Sequence, residues 1–362
     1  MPDKLLKARH ESTEDPRWKG RNILDARDFE REDVEQVCLV AAVMEELTKQ
    51  HRAHYILQGF QFGSCFKQPS TRTRISFESA AEALGACVIH FHPDDAFSAS
   101  VKGESWEDNL RVLRRYFHGF FFRAKEEGYA ADNARIIGPG KPVFNAGDGW
   151  KHHPTQALLD ARTTQKMLGR LDNLVYLEWG DLHFSRVVHS RVDILSNFRG
   201  VSFIFVAPDE LPMPQEYLDM LERKKVPYRL CRDYRDVIGQ ANSFYATRLQ
   251  WEHFKDSKPE LYERLKREWV LSRAVFDKAI GNRTDFKLFH PGPTNEEVPE
   301  EFDDAPYNCI LEQVEQGKYT RMALLALTAG KARVQDGEVI LPRPPPHLEH
   351  NWGSLVFRLT GP

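Results

Sequence analysis

The stretch "LVYLEWGDLHFSRVVHSRVDILSNFRGVSFIFV", residues 174–206, contains the unit from which the fold is built. Its two apolar runs, 174–178 and 201–206, are short and rich in aromatic and β-branched residues, which predicts two buried strands. The intervening residues 186–198 have a helical pattern. Strand, helix and strand in this order predict two parallel strands joined by a helix. The polar residues 180–186 then follow the carboxyl end of a strand, where open parallel sheets bind ligands.

The same alternation runs through most of the chain. Further strands are predicted at residues 86–91, 119–123, 141–145, 228–231, 243–247 and 287–290. Further helices are predicted from about residue 31 and at 104–117, 155–168, 214–225 and 319–329. Two such sets predict an α/β protein with two doubly wound parallel-sheet domains that meet near residue 170. We expect the active site in the cleft between them.

The composition sets limits on the class of protein. The chain has 362 residues, 41% hydrophobic and 28% charged, with a formal net charge of −3. This size suffices for two domains, and the charge gives no reason to expect nucleic acid or a membrane as partner. The five cysteines show no C-x-x-C spacing, which predicts reduced and buried thiols. With no apolar signal segment and no apolar run near 20 residues, we expect a cytoplasmic protein.

Both ends of the chain differ from this pattern. Residues 1–20 are charged throughout and are expected to form a disordered or loosely packed extension. Residues 331–362 form a Pro-rich tail, for which an extended surface strap or a linker is the expectation.

A polar cluster precedes one helix of the first half. Ser70 follows Pro69 and is the expected N-cap, and Gly85 is the expected stop. The residues predicted for the buried face of this helix are Ile75, Phe77, Ala80, Ala81 and Leu84. A helix N-terminus carries unpaired N–H groups and the positive end of the helix dipole, which favours an anion such as phosphate. A capped helix with solvated arginines is the alternative, and the two arginines and two threonines in residues 71–74 favour the anion site.

Polar and cationic residues also follow several predicted strands. These strand ends carry Arg123, residues 145–149, residues 180–186, Arg248 and residues 290–297. Carboxyl ends of parallel strands lie at one edge of a sheet, so these residues are expected to converge there. Arginines at three ends, with the cluster at residues 70–74, predict a small substrate set that carries several negative charges.

Five motifs then support a resemblance. They are "STRTR" (70–74), "NAGDG…HPTQALLD" (145–160), "GDLHFSRVVHS" (180–190), "ATRLQ" (246–250) and "HPGPTNEE" (290–297). In this order and spacing the chain resembles the aspartate/ornithine carbamoyltransferase family over residues 21 to 330, and most closely its aspartate-using catalytic chains. The resemblance implies a carbamoyl phosphate-binding domain (21–170, joined by a C-terminal helix at 312–330) and an amino-acid-binding domain (171–311).

The resemblance also implies a reaction. The amine of L-aspartate would attack carbamoyl phosphate and give N-carbamoyl-L-aspartate and phosphate, as in pyrimidine biosynthesis, without a metal or organic cofactor. The implied carbamoyl phosphate-binding residues are Ser70, Thr71, Arg72, Thr73, Ser98, Lys102, Arg123, His153, Gln156, Pro291 and Gly292. Of these, Arg72, Thr73, Arg123, His153 and Lys102 would be catalytic, because donors placed around the carbonyl oxygen stabilise its developing negative charge.

The acceptor side is implied in the same way. Arg186, Arg248 and Gln250 match the residues that hold the two carboxylates of aspartate, together with Lys102. The family implies a homotrimer in which Ser98 and Lys102 reach the site of a neighbouring subunit. A further regulatory or pathway-enzyme partner is compatible with the family.

Some positions leave alternatives open. Ornithine is disfavoured, because the turn reads His-Pro-Gly-Pro without the cysteine of ornithine-using members, and a cationic side chain would be repelled by Arg248. Gln68, His253 and Glu296 depart from the family pattern. A carbamoyltransferase for another anionic amino acid or amine is therefore the second hypothesis, and a catalytically weak binding subunit with the same fold is the third. If Glu296 points into the site it disfavours a dianionic acceptor, and the expected alternative is a surface position.

Overall fold

The computed structural model describes residues 12–93, 102–149, 152–253 and 258–344. The helices are α1 (Arg31–Lys49), α2 (Thr71–Ala83), α3 (Trp106–Leu113), α4 (Tyr129–Ile137), α5 (Pro154–Leu168), α6 (Arg186–Leu195), α7 (Gln215–Lys224), α8 (Pro259–Glu268), α9 (Arg273–Ile280) and α10 (Ile310–Thr328). The strands are β1 (Gln61–Phe66), β2 (Cys87–His90), β3 (Gly119–Arg123), β4 (Val143–Asn145), β5 (Val175–Trp179), β6 (Ser202–Val206), β7 (Tyr228–Cys231), β8 (Ser243–Ala246), β9 (Lys287–Phe289), β10 (Arg333–Gln335) and β11 (Glu338–Ile340). Single 3-10 turns occur at Ala26–Asp28, Tyr234–Asp236, Ile238–Gln240, Trp251–His253 and Glu300–Phe302.

The chain forms two compact units. Among the described residues, the first unit takes residues 12–28, 32–149 and 316–344, and the second takes residues 29–31 and 152–315. The boundary at residue 316 falls within α10. The described helices include none that is both long enough and apolar enough to span a bilayer.

The first unit is built on a four-stranded parallel sheet in the order β2-β1-β3-β4. Its central strand β3 is buried along its whole length, so it reads as an unbroken apolar run that ends in an arginine. Phe120 and Phe122 of β3 stack at 5.8 Å and pack with Phe91 and Phe117 from neighbouring segments. The register pairs Phe66 with Arg123, so the carboxyl ends of β1 and β3 lie side by side.

The second unit contains a five-stranded parallel sheet in the order β7-β6-β5-β8-β9. The strand order reverses at β5, which lies between β6 and β8. This is the switch point at which loops after adjacent strands diverge and leave room for a ligand. Trp179 at the end of β5 packs with Phe244 of β8 and with Tyr234 in the main apolar cluster. The two doubly wound parallel sheets predicted from the sequence are confirmed.

The predicted elements are close to the observed ones where the apolar pattern is clear. The strands at 119–123 and 228–231 match in both bounds, and the other predicted strands differ by one or two residues at an end. The sequence pattern did not identify β1, α4, α8, α9 or the β10–β11 hairpin. The last helix begins at Ile310 and not at residue 319, because its first turns expose Leu311 and Val314 and so lack a regular apolar face.

Three local predictions are wrong. Ile75, predicted for the buried face of α2, is 51% exposed. The buried face is formed by Phe77, Ala80 and Ala81, which are fully buried. Cys87 is exposed at the start of the short strand β2. The described part of the N-terminal extension is packed and not loose: Trp18 is fully buried, and the N–H of Gly20 donates to the carbonyl of Thr328 at 2.8 Å. The indole N–H of Trp18 also donates to Gln36, which explains why this charged segment is ordered.

Gly85 illustrates how tightly the end of α2 is packed. Its φ is +84°, and a Cβ placed there would lie 1.8 Å from the carbonyl oxygen of His54. Gly59 has nearly the same φ, +85°, but no atom lies within 4 Å of the position of its Cβ. The two glycines therefore separate the cost of a left-handed backbone from the cost of a steric clash.

We expect Gly59→Ala to lower the free energy of unfolding by about 1 kcal/mol, the cost of a left-handed conformation. Gly85→Ala should lower it by at least about 3 kcal/mol, because the backbone of His54 has to move as well. Urea unfolding of both variants measures the difference. Equal losses would show that the chain at His54 yields to the added methyl group.

Candidate functional site

The N-terminus of α2 carries the predicted anion site of the first unit. Ser70 occupies the N-cap with an extended backbone, but among the described residues its side chain makes no capping hydrogen bond. Thr71 and Arg72 are exposed in the first turn, whereas Thr73 is buried. The predicted N-cap position is confirmed, and the hydroxyl of Ser70 is not committed to capping the helix. The first turn thus combines the N-terminal end of α2 with hydroxyl groups and a guanidinium, the groups that bind a phosphate.

Arg123 lies at the carboxyl end of β3, where only 8% of it is exposed. Its Nη1 donates to the carbonyl of Ala146 at 2.8 Å. The loop that holds Ala146 is fixed internally, because Asn145 donates to Asp148 at 2.7 Å and the N–H of Gly147 donates to the side-chain oxygen of Asn145. The "NAGDG" motif therefore positions a buried guanidinium at a strand end.

The second unit holds His153 and Gln156 at the start of α5. His153 is the N-cap residue, is 4% exposed, and its backbone N–H donates to the hydroxyl of Ser190 at 2.9 Å. Gln156 is half-buried, and its Nε2 donates to Asp160 at 3.1 Å. Both residues therefore lie at the N-terminal end of α5, and a hydrogen bond from the backbone of His153 connects this end to α6.

Asp181 connects the two loops that carry the predicted acceptor residues. This fully buried carboxylate accepts hydrogen bonds from the backbone N–H groups of His183 and Phe184 and from that of Gln250 at 3.1 Å. The first two belong to the loop before Arg186, the first residue of α6. Burial raises the pKa of Asp181 to about 6, and the three backbone donors oppose that rise. One buried carboxylate thus holds together the loops of Arg186 and of Arg248–Gln250.

Arg248 is oriented by Glu252, four residues later in the chain. Its Nη1 donates to one carboxylate oxygen of Glu252 at 2.9 Å and its Nη2 to the other, a bidentate pair. The hydrogen bond to Glu252 raises the pKa of Arg248 above its usual value. Glu252 therefore fixes the orientation of the guanidinium and occupies both of its terminal nitrogens.

The turn after β9 is fixed through His290. The N–H of Gly292 donates to Nδ1 of His290 at 2.8 Å, which places the ring proton on Nε2, 3.0 Å from Glu297. Burial acts to raise the pKa of Glu297, but the hydrogen bond and charge of His290 outweigh it. The pKa of Glu297 is therefore below its ordinary value. The backbone N–H of His290 donates to Gln313 at 3.0 Å. The Pro291–Gly292 segment thus has its carbonyl groups in a defined place.

The remaining predicted residues have simpler surroundings. Lys102 is exposed, and Ser98 lies outside the described residues, as does the side chain of His253. Gln68 is partly buried. Glu296 is exposed and pairs with Lys266 at 2.7 Å, so the surface position expected for it is confirmed.

Sequence reasoning did not assign roles to Asp160, Asp181, Glu252 and Gln313. Two of them lie four residues after a predicted site residue to which they are bonded. Asp160 follows Gln156 in this way, and Glu252 follows Arg248. That spacing was the available signal. Asp181 and Gln313 act through tertiary contacts, for which the sequence carries no local sign.

Comparison with known proteins supports these motifs. A model described as aspartate/ornithine carbamoyltransferase, carbamoyl-P binding domain, matches residues 21–166, and one described as aspartate/ornithine carbamoyltransferase, Asp/Orn binding domain, matches residues 173–328. The aspartate carbamoyltransferase catalytic subunit of Hyperthermus butylicus is 36% identical over 314 residues, which cover 87% of this chain and 98% of the relative. The corresponding subunit of Vibrio vulnificus is 40% identical over 269 residues, 74% of this chain and 85% of the relative.

Solved structures show the same similarity. The catalytic subunit of M. jannaschii aspartate transcarbamoylase aligns with a TM-score of 0.76 and 34% identity, covering 85% of this chain and 97% of that chain. Aspartate transcarbamoylase from Trypanosoma cruzi in complex with carbamoyl phosphate aligns with a TM-score of 0.77 and 30% identity, covering 86% of this chain and 96% of that chain.

His189 on α6 gives a stability test for this region. It is 3% exposed, and its Nε2–H donates to the carbonyl of Leu182 at 2.9 Å, in the loop that Asp181 holds. Burial lowers the pKa of His189 from 6.5 to about 4. The unfolded chain therefore binds a proton near pH 6.5 that the folded protein does not take up until about pH 4, and stability is lost as the pH falls across this range.

We expect His189→Gln to lose less stability than the wild type between pH 7 and pH 4, by about 2–3 kcal/mol, because the variant has no imidazole to protonate. Urea unfolding at a series of pH values measures this. The exposed His54→Gln variant is the control and should follow the wild-type curve. Parallel curves for all three proteins would contradict a buried neutral His189.

Proposed function

The chain belongs to the aspartate/ornithine carbamoyltransferase family, and we propose that it transfers the carbamoyl group of carbamoyl phosphate to the amine of L-aspartate. The observation that carries the choice of acceptor is the arrangement around Asp181, which ties the loop of Arg186 to the loop of Arg248. Two guanidiniums on linked loops suit a dicarboxylate. The ammonium group of an ornithine side chain would be repelled by the same charges.

The carbamoyl phosphate half of the proposal rests on the first turn of α2 and on Arg123. Ser70, Thr71, Arg72 and Thr73 would bind the phosphate at the helix N-terminus. Arg123 would bridge the phosphate and the carbonyl oxygen, and His153 would donate to that oxygen. Gln156 and the carbonyl groups near Pro291 and Gly292 would hold the carbamoyl amine.

The chemistry then needs no nucleophilic side chain. The aspartate nitrogen forms a bond to the carbonyl carbon, negative charge develops on the carbonyl oxygen, and the bond from that carbon to the phosphate oxygen breaks. The proton lost by the nitrogen leaves with the phosphate. Donors already in place lower the barrier to this step because they stabilise the developing charge without having to reorganise.

We extend the proposal to assembly and location. Ser98 and the exposed Lys102 would complete the site of a neighbouring subunit in a homotrimer, and the enzyme would act in the cytoplasm without a cofactor. Residues 21–170 with the C-terminal helix would bind carbamoyl phosphate, and residues 171–311 would bind aspartate. The outward position of Glu296 removes one argument for a different acceptor, because its charge is paired with Lys266 at the surface.

The first test is turnover. Purified protein with carbamoyl phosphate and L-aspartate should release phosphate and form N-carbamoyl-L-aspartate, detected by mass. Arg72→Ala should lower kcat/KM for carbamoyl phosphate about 1,000-fold, because a transition-state donor is lost. Arg74→Ala is the matched control, since Arg74 is also exposed, belongs to the same first turn of α2 and is not assigned to the phosphate. Turnover with another acceptor but not with aspartate would contradict the proposed substrate.

The acceptor half has its own test. Arg248→Ala should raise the KM for aspartate about 100-fold, because a charged hydrogen bond to a carboxylate contributes about 1.5–3 kcal/mol. The affinity for inorganic phosphate should not change, since Arg248 is assigned to aspartate alone. Arg264→Ala, which removes a surface arginine paired with Glu210, is the control. An unchanged KM for aspartate would remove Arg248 from the acceptor site.

A further inference from the structure

Asp160 lies at the centre of a buried hydrogen-bond network in the second unit. It is fully buried, one helical turn after Gln156 on α5. Its Oδ1 accepts hydrogen bonds from Nε2 of Gln156 at 3.1 Å and from Nε2 of Gln313 at 2.6 Å. Its Oδ2 accepts a third from the hydroxyl of Tyr245 at 2.8 Å. Three donors from three different elements therefore meet on one carboxylate.

The direction of these hydrogen bonds fixes two amide groups. A carboxylate oxygen with two N–H partners accepts from both, so Gln156 and Gln313 each turn their NH₂ toward Asp160 and their Oε1 away from it. The Oε1 of Gln313 accepts from the backbone N–H of His290 at 3.0 Å, at the start of the Pro291–Gly292 turn. The Oε1 of Gln156 is by the same logic presented as an acceptor.

We propose that Asp160 is a positioning residue that sets the orientation of the Gln156 amide and, through Gln313, the place of the turn at residues 290–292. The inference rests on the proposed function, in which Gln156 and this turn hold the carbamoyl NH₂. That group is a donor of two hydrogen bonds, so it requires acceptors. An amide of Gln156 turned the other way would present a second NH₂ and repel it.

The surroundings of Asp160 make this orientation persistent. The fully buried Arg191 lies near it, with its guanidinium 4.5 Å from the ring centroid of Tyr245, and attracts the carboxylate. Burial raises the pKa of Asp160, and Arg191 with the three donors opposes that rise. Whether Asp160 is ionised or protonated, its Oδ1 accepts hydrogen bonds from both amides, because the NH₂ group of an amide donates hydrogen bonds and does not accept them. The network therefore holds Gln156 over a wide range of pH.

The test is a double-mutant cycle on the working enzyme. Asp160→Ala should lower kcat/KM for carbamoyl phosphate about 30-fold in the wild-type background, within the range found for residues that orient a functional ligand. In a Gln156→Ala background the same change should cost only about fivefold, the part that acts through Gln313, because residues that act through each other are not additive. Asp160→Asn should restore most of the activity, since its remaining oxygen can receive both amides while the Tyr245 hydroxyl turns to accept from its NH₂.

Two further measurements separate positioning from loss of structure. The affinity for inorganic phosphate, measured by calorimetry, should be unchanged in each variant, because Gln156, Gln313 and Tyr245, which bond to Asp160, are not assigned to the phosphate. Glu178→Gln is the matched control: Glu178 is also buried beside Arg191, to which it is bonded at 2.8 Å, but its loss should leave the KM for carbamoyl phosphate unchanged. If Asp160→Ala does not fold, Gln313→Met tests the route from Asp160 to the turn at residues 290–292. This variant should raise the KM for carbamoyl phosphate about fivefold.

The outcomes are distinct. Equal losses from Asp160→Ala in both backgrounds, or an unchanged KM in Gln313→Met, would overturn the positioning role. A loss in Asp160→Asn as large as in Asp160→Ala would also overturn it, since the charge and not the acceptor oxygen would then be what matters. Wild-type protein that transfers the carbamoyl group to another acceptor and not to L-aspartate would contradict the proposed acceptor and not this inference, because Asp160 is assigned to carbamoyl phosphate alone.

Discussion

Parallel pairing of strands is the constraint on which the rest of the structure depends. Each strand in the two main sheets leaves the sheet at the same edge as its neighbours, so every loop that follows a strand is delivered to one place. In the first unit this edge carries Arg123. In the second it carries the loops after β5, β8 and β9, with Arg186, Arg248 and the turn at residues 290–292. The strand bodies are then free to be apolar, and the chemistry is confined to their ends.

Fixing these loops requires charges in places that water does not reach. Asp160, Asp181 and Glu178 are all fully buried in the second unit, and Arg191 lies close to Asp160 and Glu178. Burial raises the pKa of Glu178 to about 7, against the attraction of Arg191. Buried ion pairs contribute little net stability, because desolvation offsets most of their attraction. The effect of Asp160 and Asp181 is on geometry: each carboxylate accepts hydrogen bonds from segments far apart in the chain and holds those segments in one arrangement.

The sequence predicted what depends on local pattern. Both ends of β3 and of β7 were predicted correctly, those of β3 from its apolar run, and the N-terminus of α2 followed from Pro69 and Ser70. It failed where tertiary contacts replace pattern, as in the order around Trp18, the exposure of Ile75 and the start of α10. The candidate site shows the same division. Its cationic residues stand in recognisable motifs, whereas Asp181 and Gln313 owe their roles to partners 69 and 153 residues away.

The first unit is assembled from chain segments that are far apart in sequence, and this affects how it can fold during synthesis. The second unit is nearly continuous in sequence, but the first also needs residues from 316 onward, where Leu324 and Leu325 are fully buried. The carbonyl of Thr328 receives the N–H of Gly20, and that of Gly330 receives the hydroxyl of Thr13. On the ribosome, chains grow from the N-terminus, so the unit begun first is the one completed last. Until α10 emerges, the nascent first unit lacks the apolar side chains that complete its core, and apolar surface that the finished protein buries stays exposed on the growing chain.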